Sequence, residues 1–238
     1  SKEADLLDAF ATGRDVYCEF ASQIYGRTIT KQDKLERYVG KTAILGLGYG
    51  MGADKFQATL KTGSPSVELS DTAAKSIVMQ YRGMYPNIPQ LWSGMKDSLF
   101  QMINPQGYGL KYGPLTIRAR ALELPNGMAL NYPNLMFEYG NFVYKTEREI
   151  IRTHGPRITE NVVQALARIV ITDQMLEVQA MPEVDIVLQV HDEIIAIGSE
   201  LDSDATMEKI INIMRTAPDW CSDLPLDAEG GVSQVYDK

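Results

Sequence analysis

Residues 30–52 read TKQDKLERYVGKTAILGLGYGMG and place Arg37, Lys41, Leu45 and Tyr49 four positions apart. A step of four residues advances an α-helix by about 40° beyond one full turn, so the four side chains stay within a sector of roughly 120°. The spacing therefore predicts a helix that carries two cations, one apolar residue and one phenol on the same face.

The ends of this predicted helix have signals of their own. Thr30 is expected to cap the N-terminus, with Asp33 three positions later in a capping-box-like arrangement. Alternating glycines are expected to loosen the C-terminal end: Gly46, Gly48, Gly50 and Gly52. From these residues alone, the helix is either an ordinary solvated amphipathic helix or a face that binds a polyanion.

Two phosphate-binding motifs do not fit this stretch. The P-loop GxxxxGK[ST] would end at Gly40-Lys41-Thr42, but it requires glycine at position 35, which is Leu35. The dinucleotide fingerprint GxGxxG requires two residues after its second glycine, whereas the glycines here alternate and follow a helical pattern. A P-loop nucleoside triphosphatase is therefore the least favoured alternative.

The stretch resembles the RxxxKxxx(aromatic or apolar)xxxYG pattern of the fingers helix in DNA polymerases of family A, which packs against the incoming deoxynucleotide. The resemblance implies that Arg37 and Lys41 hold the triphosphate, with Lys41 also a catalytic residue. Each such charge-assisted contact is worth roughly 1.5–3 kcal/mol. It further implies that Leu45 lies against the sugar and base and Tyr49 beside the templating base. Gly50 is then one of the DNA-binding residues. Leucine at position 45 replaces the commoner aromatic residue, as in phage-type members.

The preceding segment, residues 13–30, resembles the region before the fingers helix in phage-like members. Asp15 is predicted to cap a helix that ends at Gly26. A histidine that is common in bacterial members reaches the nucleotide phosphates from the place that Tyr17 occupies here. The resemblance makes Tyr17 a nucleotide-binding candidate, and a buried tyrosine on an amphipathic helix is the alternative.

Helical and extended patterns follow. Ser70 opens another helix, and YRGMYPNIPQLW at 81–92 also resembles the family; Trp92 is either a stacking platform for bases or part of the core. Residues 115–124 alternate as one strand, and Asn126-Gly127 predicts a type I′ turn of a β-hairpin.

A long helix is predicted from about Thr159 to Val178, after an extended stretch at 137–145. Its run ITENVVQALARI places Gln164 where the family has a glutamine that touches the minor groove of the primer-template. Gln164 is therefore a DNA-binding candidate by resemblance and otherwise an unremarkable helical residue. Ile169 stands where an acidic residue is usual in the family.

Near the end of the chain, apolar strands are predicted at 184–190 and 194–197, with His191-Asp192-Glu193 between them. Taken alone, these three residues are a solvated turn. Together with the Arg37 helix, LQVHDEI resembles the palm hairpin of family A polymerases. The resemblance implies that Asp192 is catalytic and ligates Mg²⁺ in a two-metal site, that Glu193 supports catalysis, and that His191 lies by the primer terminus and DNA.

In this family, the first metal-binding aspartate lies in a DxSxIExR segment, which is followed closely by a segment similar to SKEADLLDAF. The present sequence begins at that second segment and contains no DxSxIExR. We therefore expect a second polypeptide that carries the first palm motif and the thumb and completes the Mg²⁺ site.

The composition and net charge of the sequence limit which of these interpretations are possible. The 238 residues are 45% hydrophobic, which suffices for one large domain or two small ones. The net charge of −8 argues against a self-sufficient nucleic-acid binder. Cys18 and Cys221 fit no metal or redox spacing, and no long apolar run or leader is present, so we expect a soluble intracellular protein without a membrane partner. The resemblance to phage-type members implies the cytoplasm of a bacterial or phage-infected host cell.

The resemblance implies an α/β (α+β) fold with helical fingers and a partial palm of antiparallel strands. Residues 1–13 are expected to lead in from the missing palm segment, residues 14–104 to form the fingers and residues 105–238 the C-terminal palm. The implied function is the C-terminal part of a template-directed DNA polymerase that binds primer-template DNA and deoxynucleoside triphosphates. The alternative is a non-catalytic primer-template-binding subunit or remnant. We expect the Arg37 face to share one cleft with Asp192.

Overall fold

Helices make up the first hundred residues of the computed structural model, which describes residues 1–236. Their bounds are α1 Ala4–Ala11, α2 Val16–Tyr25, α3 Lys34–Leu47, α4 Ala53–Thr62, α5 Asp71–Met84 and α6 Asn87–Met102. Asp15 caps α2 through the backbone N–H groups of Tyr17 and Cys18, and Gly26 ends it with φ of +64°. Ser70 caps α5 by accepting from the N–H of Ala73. These predicted caps are confirmed.

The start of α3 differs from the prediction. Asp33, not Thr30, immediately precedes the helix, and its side chain makes no cap bond to the first turn. The Asp33 carboxylate instead accepts from the backbone N–H and the hydroxyl of Thr30 at 2.9 and 3.0 Å. Only the reach-back half of the capping box is therefore formed, and the helix begins later than expected.

Helix α4 was not predicted from the sequence. Its two buried side chains, Phe56 and Leu60, are one helical turn apart. In the sequence this pair is only a weak indication of a helix, because it follows a glycine-rich stretch.

Short antiparallel strands follow the helices. The first sheet has the order β1-β2-β3-β4, with β1 Lys111–Tyr112, β2 Leu115–Arg118, β3 Ala121–Glu123 and β4 Ala129–Asn131. The second has the order β5-β6-β7, with β5 Met136–Glu138, β6 Asn141–Lys145 and β7 Ile150–Thr153. Helix α7, Gly155–Gln179, comes next and is followed by the antiparallel pair β8 Val184–Val190 and β9 Glu193–Gly198, and by α8 Ser203–Arg215. This mixture of helices and antiparallel sheets confirms the predicted fold class.

Two details of the predicted hairpin are wrong. The stretch 115–124 is not one strand, because a turn at Arg120 with φ of +53° separates β2 from β3. The Asn126-Gly127 loop is not type I′, since that turn needs positive φ at both residues and only Gly127, at +81°, has it.

The chain divides into two compact units. Unit 1 comprises Ser1–Glu123 and Gly127–Val162, and unit 2 comprises Leu124–Asn126 and the chain from Val163 onward. Unit 1 carries 19 basic and 16 acidic residues, whereas unit 2 carries 4 basic and 15 acidic residues. The negative charge of the sequence therefore belongs to unit 2. No helix within residues 1–236 is long and apolar enough to cross a membrane.

The core of unit 1 joins α2, α3, α4 and α5. Phe20 and Tyr81 are almost fully buried and meet edge to face with ring centres 5.6 Å apart. Trp92 packs against the same cluster and donates from Nε1 to the carbonyl of Gly48 at 3.1 Å. The contacts of Trp92 therefore favour a role in the core over a role as a stacking platform for bases. Cys18 is buried and Cys221 partly exposed, and both are free thiols.

Candidate functional site

Helix α3 has one buried side and one exposed side. Val39, Ala43 and Leu47 are exposed by no more than 1%. On the other side Lys41 is exposed and Leu45 keeps 51% of its accessible surface. The predicted amphipathic helix is confirmed for Arg37, Lys41 and Leu45, but it ends at Leu47, so Tyr49 is not part of it. Lys41 is open to solvent, whereas Arg37 is partly buried.

Tyr49 lies just beyond this helix. Its N–H donates to the carbonyl of Gly46 at 3.2 Å in the turn after Leu47. Its ring is 37% exposed. Burial, and secondly the nearby Glu160 carboxylate, raise the pKa of the Tyr49 phenol, which therefore stays protonated at neutral pH.

Gly50 has a structural reason to be glycine. Its φ is +79°, and a Cβ at this position would lie 2.6 Å from the Cβ of Pro156 in the first turn of α7. The glycine thus lets the turn after α3 pack closely on α7. This contact does not test the predicted DNA-binding role of Gly50.

Arg37 is held by residues from α2. Its Nε donates to Oδ2 of Asp15 at 2.9 Å, and its guanidinium carbon lies 5.3 Å from the centre of the Tyr17 ring. The hydrogen bond to Asp15 raises the pKa of Arg37. Burial alone would raise the pKa of Asp15, but the hydrogen bonds from Cys18 N–H and Arg37 outweigh it and lower that pKa.

The contact between α2 and α3 depends on Gly40. A Cβ on Gly40 would lie 2.3 Å from the carbonyl oxygen of Tyr17 and 3.0 Å from the Cβ of Ala21. The two helices can therefore approach closely only because this position lacks a side chain. The close approach brings Tyr17, a predicted site residue, next to Arg37.

In unit 2, His191 and Asp192 form the two-residue loop between β8 and β9. Val190 pairs with Glu193 across the strands, and His191 has a left-handed φ of +54°. His191 and Asp192 are exposed, and Glu193 is partly buried at the start of β9. The predicted turn is therefore confirmed for His191 and Asp192, whereas Glu193 belongs to β9 rather than to the turn. The turn presents the Asp192 carboxylate to solvent.

A hydrogen-bonded chain braces this turn. Arg168 of α7 donates to the amide oxygen of Gln189, and the amide nitrogen of Gln189 donates to the backbone carbonyl of His191. Sequence reasoning missed Arg168 and Gln189, because their pairing spans 21 positions and has no local signal. Gln164 is exposed on α7, and Ile169 is buried at 2% exposure.

The carboxylates of this turn do not form a metal site on their own. Within residues 1–236, no group of three or more His, Cys, Asp or Glu side chains is placed to hold a metal ion. Asp192 offers hard oxygen donors of the kind that Mg²⁺ prefers, but Mg²⁺ needs further ligands in octahedral geometry. The donor set that the structure describes therefore does not fit the two-metal site implied by the resemblance.

The predicted site residues lie in both units. Unit 1 holds one set: Tyr17, Arg37, Lys41, Leu45, Tyr49 and Gly50. Unit 2 holds the other: Gln164, His191, Asp192 and Glu193. Within unit 1 the structure brings Tyr17 and Arg37 into contact. The prediction that both sets share one cleft stays a prediction.

A sequence model described as DNA polymerase family A matches residues 1–238. The DNA polymerase of Bacillus phage SP02 is 27% identical over 252 aligned positions, which cover 98% of this chain and 38% of the relative. DNA polymerase I of Helicobacter pylori (strain J99) is 33% identical over 101 residues, or 42% of this chain and 10% of the relative.

The fold is also similar to that of a solved structure. This structure is the POL domain of Pol1 from M. smegmatis in complex with DNA primer-template and dNTP. The similarity has a TM-score of 0.65 and covers 93% of this chain and 34% of that chain, at 22% identity. This likeness shows that the folds agree. The present chain spans at most 38% of the length of these relatives.

Proposed function

The chain belongs to DNA polymerase family A, and on that premise we propose that it binds the incoming deoxynucleoside triphosphate and primer-template DNA for template-directed primer extension. The observation that carries this proposal is the exposed side of α3, where Lys41 and Leu45 are open to solvent and Arg37 is held beside them. The opposite side of the helix is buried, so the helix is fixed in place while this face remains available.

The triphosphate is the part of the substrate that this face fits best. Arg37 offers a planar fork of donors, and Lys41 adds a point charge one helical turn later. Charge-assisted hydrogen bonds of this kind are worth about 1.5–3 kcal/mol each, which is enough to orient a polyanion. Leu45 and Tyr49 then lie against the sugar and base and beside the templating base, and Tyr17 lines the phosphate end.

Unit 2 is proposed to contribute the primer side of the reaction. His191 lies by the primer terminus, Gln164 contacts DNA, and Asp192 with Glu193 supplies carboxylate oxygens. Gly50, which belongs to unit 1, is proposed to contact DNA as well. The residues 14–104 and 105–238 remain our proposed fingers and palm portions. In this reaction the primer 3′-hydroxyl attacks the α-phosphate and pyrophosphate leaves, so the chain contributes chiefly by positioning and charge neutralisation.

We also propose that a further polypeptide segment carries the first palm motif and thumb and completes the Mg²⁺ site. Three features of unit 2 support this. Within residues 1–236, β8 and β9 form a two-stranded sheet. Unit 2 also exposes apolar residues such as Leu188 and Ile197, and it is strongly acidic. Unpaired strands favour strand addition, and an acidic surface needs a basic companion to hold a duplex.

Nucleotide binding by the full chain tests the central proposal. Arg37→Ala and Lys41→Ala should each weaken the binding of dATP at least about tenfold, since each removes a charge-assisted contact. Lys75→Ala removes an exposed lysine from α5 and is the matched control, expected to bind as the unmodified chain does. Equal affinity of all four proteins in equilibrium dialysis would rule out the α3 site.

A non-catalytic subunit or remnant that binds primer-template is the second candidate, because residues 1–236 contain no group of three or more His, Cys, Asp or Glu side chains placed to hold a metal ion. Primer extension by a completed enzyme distinguishes it from the catalytic proposal. A remnant would bind primer-template but would add no nucleotide even with the missing segment supplied.

A further inference from the structure

Asp15 lies outside the predicted nucleotide site, yet its carboxylate accepts the hydrogen bond that Arg37 makes through Nε. We propose that Asp15 is a positioning residue for nucleotide binding, which turns the terminal nitrogens of Arg37 toward the triphosphate. This inference rests on the proposed function of α3 and adds a residue to it.

Both carboxylate oxygens of Asp15 have defined partners. Oδ1 accepts from the backbone N–H groups of Tyr17 and Cys18, each at 3.1 Å, and Oδ2 accepts from Nε of Arg37 at 2.9 Å. The Asp15 side chain is 17% exposed and that of Arg37 is 30% exposed. The N-cap of α2 therefore fixes the carboxylate, and the carboxylate fixes the guanidinium.

The way in which Arg37 is held leaves its useful donors available. A guanidinium has five N–H donors, of which only one is on Nε. The bond to Asp15 uses that single donor. The other four donors are on Nη1 and Nη2 and suit a bidentate contact with phosphate oxygens, beside the Cys18 side chain, which also interacts with Arg37. The Tyr17 ring lies against the same guanidinium, 5.3 Å from centre to carbon. Arg37 is thus restricted on two sides before any ligand binds.

The negative charge of Asp15 opposes this effect, because it also repels a triphosphate. Arg37 neutralises that charge at 2.9 Å, and Lys41 adds a further positive charge on the exposed side of α3. Solvent and salt screen the remaining repulsion. Ordering a long side chain on binding has an entropic cost, and Asp15 removes that cost in advance. We therefore expect the positioning effect to exceed the repulsion.

Two substitutions separate positioning from capping. Asp15→Asn and Asp15→Ser both keep an oxygen that can cap α2. The asparagine would present an amide donor to Nε, and the serine is too short to reach it. Asp15→Glu restores a carboxylate that can reach Arg37 at some expense to the cap, and it serves as the rescue variant.

The readout is the ratio of the affinities for dATP and dAMP, measured on the full chain by equilibrium dialysis without turnover. Asn and Ser at position 15 should lower this ratio about three- to tenfold, because the triphosphate would then have to order the Arg37 side chain as it binds. Glutamate should recover part of the loss. A general loosening of the fold would weaken both ligands equally and leave the ratio unchanged.

The outcomes are distinguishable from those of the nucleotide-site proposal. If Arg37→Ala and Lys41→Ala weaken dATP binding while the Asn and Ser variants keep the original ratio, the inference is wrong and the α3 site stands. An increased ratio would show that repulsion dominates and would also overturn the inference. If Arg37→Ala and Lys41→Ala bind dATP normally, both proposals fail together.

Discussion

Leu45 is half exposed in the middle of the nucleotide face proposed for α3. A phenylalanine at this position would extend into solvent rather than into the core, because the buried side of the helix is formed by other residues. The stability of the fold should therefore change little, whereas the larger ring adds stacking area against a base.

We predict that Leu45→Phe tightens nucleotide binding, by a contact worth about 0.5–1.5 kcal/mol. Single-turnover kinetics with a completed enzyme would measure the apparent dNTP affinity and the rate of addition. Thermal unfolding of the same protein is the control for stability. Identical affinity and rate for leucine and phenylalanine would place residue 45 outside the nucleotide site.

At the scale of secondary-structure elements, the proposed site depends most on the contact between α2 and α3. Asp15 and Tyr17 belong to the start of α2, Arg37 belongs to α3, and Gly40 is the point of closest approach. A change in the distance between these helices should therefore change both the stability of unit 1 and the orientation of Arg37.

Gly40→Ala tests this dependence. The added methyl group would meet backbone atoms of α2 and should cost about 1–3 kcal/mol, which outweighs the gain of up to about 1 kcal/mol in helix propensity. Gly83→Ala in α5 is the matched control, because a Cβ there meets no atom within 4 Å. We expect urea denaturation to show a destabilised Gly40→Ala and an unchanged or stabilised Gly83→Ala. A Gly40→Ala protein as stable as the control would contradict the close packing.

At the scale of the whole molecule, charge and strand pairing suggest that the 238 residues act with another segment. Unit 2 has a large excess of acidic residues, and no metal-holding group was found among residues 1–236. The proposed two-metal site needs two carboxylates on neighbouring strands, and within residues 1–236 we propose only Asp192 for such a pair.

We predict that the purified chain with Mg²⁺ and four deoxynucleoside triphosphates does not extend a primer, and that it gains this activity with a polypeptide that carries DxSxIExR. Asp192→Asn should abolish the gained activity and leave the fold nearly intact, because the β8–β9 turn needs no charge for its backbone. Circular dichroism of the mutant is the control for folding. Robust extension by the isolated chain would mean that another carboxylate replaces the missing aspartate.

The features that depend on short spacings could be predicted from the sequence alone. The four-residue period predicted the exposed face of α3, Asp15 and Gly26 predicted the bounds of α2, and the flanking apolar runs predicted the β8–β9 turn around Asp192. These signals are local because helix periodicity, caps and two-residue turns are set by neighbours a few positions apart.

The way in which these elements meet is set by the packing of the folded chain and could not be predicted from the sequence. The Asp15–Arg37 ion pair spans 22 positions, and the approach at Gly40 depends on the packing of two helices. The left-handed φ of Arg120 also divided a strand that alternates in sequence. The physical reason is the same in each case: partners that are distant along the chain become neighbours only when side chains pack, and no spacing within one segment records that contact.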